Sequence, residues 1–195
     1  MSSLPLTATP TRLEVTPDGR HLQSTDGRPF FYLGDTAWEL FHRLNREEAM
    51  RYLEDRARKG FTVIQAVALS EIDGLTVPNA YGDLPLIDLD PARPNEAYFA
   101  HVDFIVAQAA SLGLRIGFWI LGGDQNVVTT EERASIDAMA AGLREGDGGA
   151  HLITFHPRGP GQSSRQLHDA TWLDFHMSQS SHGERNHDTG LYAEH

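Results

Sequence analysis

The stretch Phe30-Phe31-Tyr32-Leu33-Gly34-Asp35-Thr36-Ala37-Trp38 decides the fold. Its four leading apolar residues, bounded by Gly34, are too few for a helix and read as a strand buried on both faces. The next five residues separate two parallel architectures. A doubly wound nucleotide binder carries a glycine fingerprint at its first strand-to-helix turn. Gly34-Asp35-Thr36-Ala37-Trp38 has neither that spacing nor a phosphate-cradling lysine. A (β/α) barrel instead gathers polar and aromatic residues just after each strand, because all strand C-termini open onto one face. Asp35 and Trp38, followed by Glu39 and His42, fit the barrel.

The chain on either side repeats the pattern. Upstream, Leu13-Glu14-Val15 alternates and Pro17-Asp18-Gly19 and Asp26-Gly27 are turn signals, so residues 1–29 read as an N-terminal β cap. Downstream, Asn45 caps a helix with Glu47 and Glu48 in its positive first turn and Gly60 after its end. Phe61–Leu69 is a second buried strand. Asn95–Leu112 is a second helix with Phe99, Val102, Val106 and Ala109 on one stripe, and Leu114–Leu121 a third strand. Thr129 with Glu132 forms a capping box for a third helix to about Leu143. His151–Phe155 and Trp172–Met177 read as a fourth and a fifth strand. Strict alternation of strand and helix means parallel strands with right-handed crossovers. Residues 30–195 are therefore expected to form one α/β domain, a TIM-type (β/α) barrel that is incomplete or shortened, since a full barrel needs about 200 residues or more.

If the strands are parallel, the residues behind each of them converge on one mouth. Asp35 and Trp38 follow the first, and Gln65, Ser70 and Glu71 belong to the second. Gly122-Gly123-Asp124-Gln125-Asn126 follows the third, His156 the fourth, and Gln179 and His182 the fifth. The turn-rich segment Ile72–Pro94 is long enough to lie over that mouth and contribute Asn79 and Tyr81. Aromatic rings with amides, imidazoles and carboxylates suit a carbohydrate, whose CH faces stack on rings while its hydroxyls take polar partners. Taken singly, Asp35 reads equally as a turn cap, Trp38 as core and Asp124 as a helix-side cap. Gln65 is more informative, because an amide in a buried strand needs partners.

Composition narrows the classes further. The 195 residues hold 16 Lys+Arg against 27 Asp+Glu, a net charge of −11, and no basic patch. Nucleic acid is therefore not an expected partner. No apolar run approaches the roughly 20 residues of a membrane span, so no membrane partner is expected either. With no cysteine in the chain, thiolate metal sites and cysteine nucleophiles are excluded. The ten histidines show no metal-binding helix pair, so neither metal nor other cofactor is expected. Met1–Pro10 carries no visible signal peptide, which points to a cytoplasmic protein, or a secreted one if a leader has been removed.

The stretch Phe30–Leu40 resembles the opening of the apiosidase-like glycoside hydrolase family. Lys59-Gly60-Phe61-Thr62-Val63-Ile64-Gln65, Pro78-Asn79-Ala80-Tyr81-Gly82, Leu121-Gly122-Gly123-Asp124, Leu152-Ile153-Thr154-Phe155-His156-Pro157 and Trp172-Leu173-Asp174-Phe175 extend the likeness. It runs from about residue 12 to about residue 192. The resemblance implies a barrel that hydrolyses glycosidic bonds, including apiosyl linkages of plant pectin, with Asp124 matching the acid-side carboxylate. It also implies a second catalytic carboxylate, a Glu on a later strand, which neither Glu184 nor Glu194 matches; a barrel remnant that binds carbohydrate without chemistry is the alternative. Leu114-Arg115-Ile116-Gly117 and Phe118-Trp119-Ile120-Leu121 resemble two successive strands of the family fused into one. A shortened barrel leaves an unsealed edge, so a homodimer covering that edge is a further expectation.

Overall fold

A computed structural model of the chain describes residues 11–70, 72–119 and 125–180. The chain divides into two units. Residues 31–122, with the first eleven, belong to one, and residues 12–30 with 123–195 to the other.

The first unit is built on three parallel strands, β3 (Gly34–Thr36), β4 (Val63–Val67) and β5 (Arg115–Trp119), in the order β3-β4-β5. Gly34 pairs with Val63 and Thr36 with Gln65, while Val63 pairs with Arg115 and Val67 with Trp119. Helices α1 (Leu40–Arg43) and α2 (Arg46–Arg58) connect β3 to β4, and α3 (Glu96–Ser111) precedes β5. These are the strand–helix–strand crossovers that the alternation predicts. Among the described residues the sheet has three strands and does not close into a barrel.

The helices form where the capping chemistry puts them. Asn45 accepts from the Glu48 N–H while the Glu48 carboxylate accepts from the Asn45 N–H, a complete capping box at the start of α2. Asn95 caps α3 by accepting from the Ala97 N–H. The buried stripe of α3 is Tyr98, His101, Val102, Ile105 and Ala109, with Phe99 and Val106 at its margin. It packs with Leu40, Phe41, Ala49 and Leu53 against Ile64 and Ala66 of β4. Burying side chains of this size contributes about 1.5–3 kcal/mol each. Tyr98 is fully buried, and its hydroxyl donates to Ala68 O at 2.9 Å. Burial, together with the nearby Glu39 charge, pushes the Tyr98 phenol up to about 12.

The run Phe30–Leu33 is not the strand that the sequence leads one to expect. The ladder occupies Gly34–Thr36, and Phe31 is 75% exposed. The cause is Thr62. Its hydroxyl donates to Phe31 O at 2.7 Å and accepts from the Leu33 N–H at 2.9 Å, so before β3 begins only the Leu33 carbonyl is bonded by the backbone of Thr62 and Val63.

In the second unit β1 (Leu13–Val15) and β2 (Leu22–Ser24) form an antiparallel hairpin, in line with the turn signals. Helix α4 (Thr130–Asp147) starts on the Thr129–Glu132 capping box and stops at Gly148, whose φ of 60° is the left-handed end that glycine adopts freely. Arg12 on the hairpin donates to Gly149 O at 2.6 Å just past that end. Neither His151–Phe155 nor Trp172–Met177 is a strand. One backbone bond, from the Asp174 N–H to Ile153 O, joins the two segments, and side chains supply the rest: the Asp174 carboxylate accepts from the Ile153 N–H, and the Thr154 hydroxyl donates to Phe175 O. Pro157 meets Gln125 in one isolated parallel bridge, and a proline has no N–H with which to extend it. The ladder that does form is short and antiparallel, between β6 (Gly161–Gln162) and β7 (Ser178–Gln179), with the short α5 (Ser164–Leu167) between them. Phe155, Leu167 and Ala170 form this unit's small core.

Within the first unit the sheet is locked to its helices by Asp35. Pairing opposite Ile64, it points to the helix side, where its carboxylate accepts from the Tyr52 hydroxyl at 2.8 Å and from Arg56. Burial pushes this carboxyl up, but the Tyr52 and Arg56 bonds outweigh it and hold it below the ordinary carboxylate range. A depressed folded-state value adds stability above the unfolded value, and that stability is lost as pH falls through the folded one. Asp35→Asn is therefore expected to lose about 1–3 kcal/mol at neutral pH. Urea unfolding from pH 7 to 3 checks this: the parent should lose its advantage over the variant on acidification, and a constant gap would refute the linkage.

Candidate functional site

Side chains on β3, β4 and β5 alternate between two faces. Asp35, Ile64, Ala66, Ile116 and Phe118 share the helix side, where Phe118 stacks on Phe41 with ring centres 5.2 Å apart. Gly34, Thr36, Val63, Gln65, Val67, Gly117 and Trp119 share the other. The two glycines on that second face make room for Tyr32. A Cβ at Gly34 would stand 3.1 Å from the Tyr32 ring, and one at Gly117 would stand 3.3 Å from its hydroxyl. The Gln65 amide donates to that hydroxyl at 3.2 Å, which answers the sequence-based question of where a strand-borne amide finds a partner.

At the C-terminal end of the same face two indoles meet. Trp38 and Trp119 have ring centres 5.1 Å apart, with planes inclined at 55°. Both backbones are fixed by β4, since the Val67 N–H donates to Trp38 O at 3.4 Å and the Ala68 N–H to Trp119 O at 2.7 Å. Trp119 was not among the sequence-based candidates, because the apolar run hides the end of its strand. Counting in twos from Gly117 places it on the Gln65 face.

Beside this end lies a polar cluster. The Ser70 hydroxyl donates to Glu39 Oε1, while Glu39 Oε2 meets His42 Nδ1 at 2.9 Å and accepts from Arg43 Nε at 3.3 Å. His42 Nε2 meets Val77 O at 2.9 Å. Burial pushes the Glu39 carboxyl up, but the Ser70 hydroxyl, and then His42 and Arg43, bring it below its ordinary value. The cluster borders a cavity of about 250 Å³ that His42, Arg43, Asp73, Val77, Pro78 and Asn79 help to line.

The loop that supplies Asn79 and Tyr81 is anchored on this side. Asn79 Oδ1 accepts from the Tyr81 and Asp83 N–H groups at 2.9 and 3.0 Å. Its Nδ2 is buried without a partner among the described residues. The Tyr81 hydroxyl accepts from the Arg46 N–H at 2.9 Å at the start of α2, and its half-exposed ring meets His101 edge-on. His101 donates from Nε2 to Leu44 O at 3.0 Å, and burial holds its pKa below the usual histidine value.

Of the sequence-based candidates, Trp38 and Gln65 thus lie on one sheet face, and Asn79 and Tyr81 on the loop of the same unit. Asp35 is turned to the opposite face and engaged by Arg56. His156 and Gln179 belong to the second unit, Gln179 within β7. Glu71, Asp124 and His182 lie outside the described residues. Among the described residues no three His, Asp or Glu side chains converge as a metal-ligating group, and no helix is long and apolar enough to cross a membrane.

The chain matches the family model described as "Apiosidase-like, catalytic domain" over residues 16–118 and again over 117–195. It belongs to the apiosidase-like family. The two matched stretches meet at Gly117 and Phe118, inside β5, where two strand motifs read as fused in the sequence. A solved structure described as a glycoside hydrolase is similar at 31% identity and a TM-score of 0.77, over 90% of this chain and 48% of the other. A glycoside hydrolase family 5 protein from Bacteroides vulgatus ATCC 8482 is similar at 30% identity and a TM-score of 0.76, over 90% of this chain and 46% of that one. The apiosidase-like chain therefore spans about half the length of these solved relatives. No curated protein matches it.

Glu39 is the charge on which the cluster turns, with Ser70, His42 and Arg43 all directed at it. Glu39→Gln keeps the shape but gives up the charge, and it should cost about 1–3 kcal/mol. It should also speed amide hydrogen exchange around Val77–Asp83, because His42 loses the partner that aims its other nitrogen at Val77. Unchanged exchange in that loop would show that Glu39 does not hold it.

Proposed function

We propose that this chain is a carbohydrate-active domain of glycoside hydrolase type, acting on plant-type oligosaccharides with Asp124 as general acid. The observation that carries the reading is membership of the apiosidase-like family, matched from residue 16 to residue 195. The motif Leu121-Gly122-Gly123-Asp124 falls within the second matched stretch. Glycoside hydrolysis needs a carboxylic acid to protonate the leaving oxygen and a carboxylate to act as base or nucleophile. An apolar setting that raises the acid's pKa lets it hold its proton near neutrality. Trp38 and Gln65 supply a ring and an amide for sugar contacts, and Asn79 and Tyr81 lie on the loop beside them. Glu71, His156, Gln179 and His182 complete the set of proposed hydroxyl-binding groups.

A second reading is carbohydrate binding without hydrolysis. Its support is the pair of half-buried indoles, Trp38 and Trp119, which sugar binding would use without any chemistry.

Reducing-sugar release from aryl glycosides and pectin side-chain oligosaccharides tests the first reading. Asp124→Asn should lower any hydrolysis by about 10²-fold or more, the share that a positioned acid supplies, while sugar binding measured by calorimetry is retained. Equal turnover by variant and parent would remove Asp124 from the acid role. Binding heat without product in the parent would establish the second reading.

A further inference from the structure

We propose that Trp119, together with Trp38, forms a stacking platform for the CH face of a glycosyl ring at the C-terminal end of the parallel sheet. The proposal rests on the carbohydrate reading above and adds to it a contact residue that the sequence motifs do not single out.

Its first support is position. Trp119 closes β5 and pairs with Val67, so it stands on the sheet face of Gln65 and Gly117 rather than on the helix side. Trp38 follows β3 and meets it across the end of β4. In parallel β/α folds the ligand end is the end where the strands finish. Phe118, the immediate neighbour of Trp119, lies on the helix side and stacks on Phe41, so the alternation is set by packing and not by the indole alone.

The second support is how the two indoles are held. Neither belongs to the apolar cluster formed under α1, α2 and α3. Both are half-buried, and both are fixed through their own carbonyls by consecutive N–H groups of β4 and the residue after it. At 5.1 Å and 55° the two indoles meet edge to face rather than as a parallel stack, which fixes their mutual inclination. Two rigid, inclined π-faces suit a sugar, whose ring carries CH groups on one side and hydroxyls around its edge. Polar groups sit where the edge would fall: Thr36, exposed on the same face of β3, and the Gln65 amide one pleat below Trp119. Tyr32, laid across Gly34 and Gly117, lines the sheet beneath the indoles.

The experiment uses the full chain and two probes, methyl β-D-apiofuranoside and methyl β-D-galactopyranoside, with calorimetry and indole fluorescence read in parallel. The chain has three tryptophans, and Trp172 donates to Asp137 inside the second unit, so Trp172→Phe removes the background emission. At least one probe should bind the parent and shift the indole emission saturably. Trp119→Ala should weaken that binding by about 10- to 100-fold, and Trp119→Tyr should recover most of it, since an aromatic face is restored. Trp119→Leu keeps apolar bulk without a π-face and should behave like the alanine variant, which separates stacking from a packing defect. Parent-like affinity in the alanine or leucine variant would overturn the platform and leave the carbohydrate reading standing. Failure of the parent to bind either probe, or the pectin oligosaccharides, would overturn both.

Discussion

Strand β4 is bonded along both of its edges, and the rest of the first unit is arranged by that fact. Its register sets Thr36, the last residue of β3, opposite Gln65 and Trp119, the last of β5, opposite Val67, so β5 runs one pleat further than β3. Its helix-side residues Ile64 and Ala66 are wholly buried and anchor α2 and α3. The N–H groups at its end then reach the carbonyls of Trp38 and Trp119. One five-residue strand thus joins the core to the site, and a register slip of one residue would turn each of its side chains to the wrong face.

Charge is distributed around this frame in a consistent way. Asp35 on the helix side and Glu39 past the strand end are both partly buried carboxylates held below their ordinary range by donors. Such groups stay ionised and bind the protein to itself. A general acid needs the reverse, a carboxyl with few donors and poor solvation. The two carboxylates nearest the start of the sheet are therefore built as fixed anions rather than as proton donors.

What the sequence made legible follows the locality of each signal. Both capping boxes, Asn45–Glu48 and Thr129–Glu132, were readable because their partners lie within one helical turn. The second strand and the three long helices were equally plain, as was the family. The strand expected at Phe30–Leu33 begins later because Phe31 O and the Leu33 N–H are taken by the Thr62 side chain, about 30 residues away, and the Phe30 N–H by Leu22 O. His151–Phe155 and Trp172–Met177 have the composition of strands, yet a single backbone bond joins them and the side chains of Asp174 and Thr154 take the Ile153 N–H and Phe175 O that a ladder would use. Among the candidates, the need of Gln65 for a hydrogen-bond partner is legible from its type alone, whereas the face taken by Trp119 depends on the register of β5 against β4, and nothing local marks the face of Asp35.

The slot that seats Tyr32 carries a wider consequence. Its two walls, Gly34 and Gly117, belong to strands separated by a third, and neither has spare volume. A methyl group gained at either wall would press on the Tyr32 ring or hydroxyl, which has to shift by a few tenths of an ångström while keeping its bond to the Gln65 amide. Positions 32, 34, 65 and 117 are thus coupled by contact, although strand pairing gathers them from distant parts of the chain. The effect of a side chain gained at either glycine is therefore set by the residue that stands at position 32.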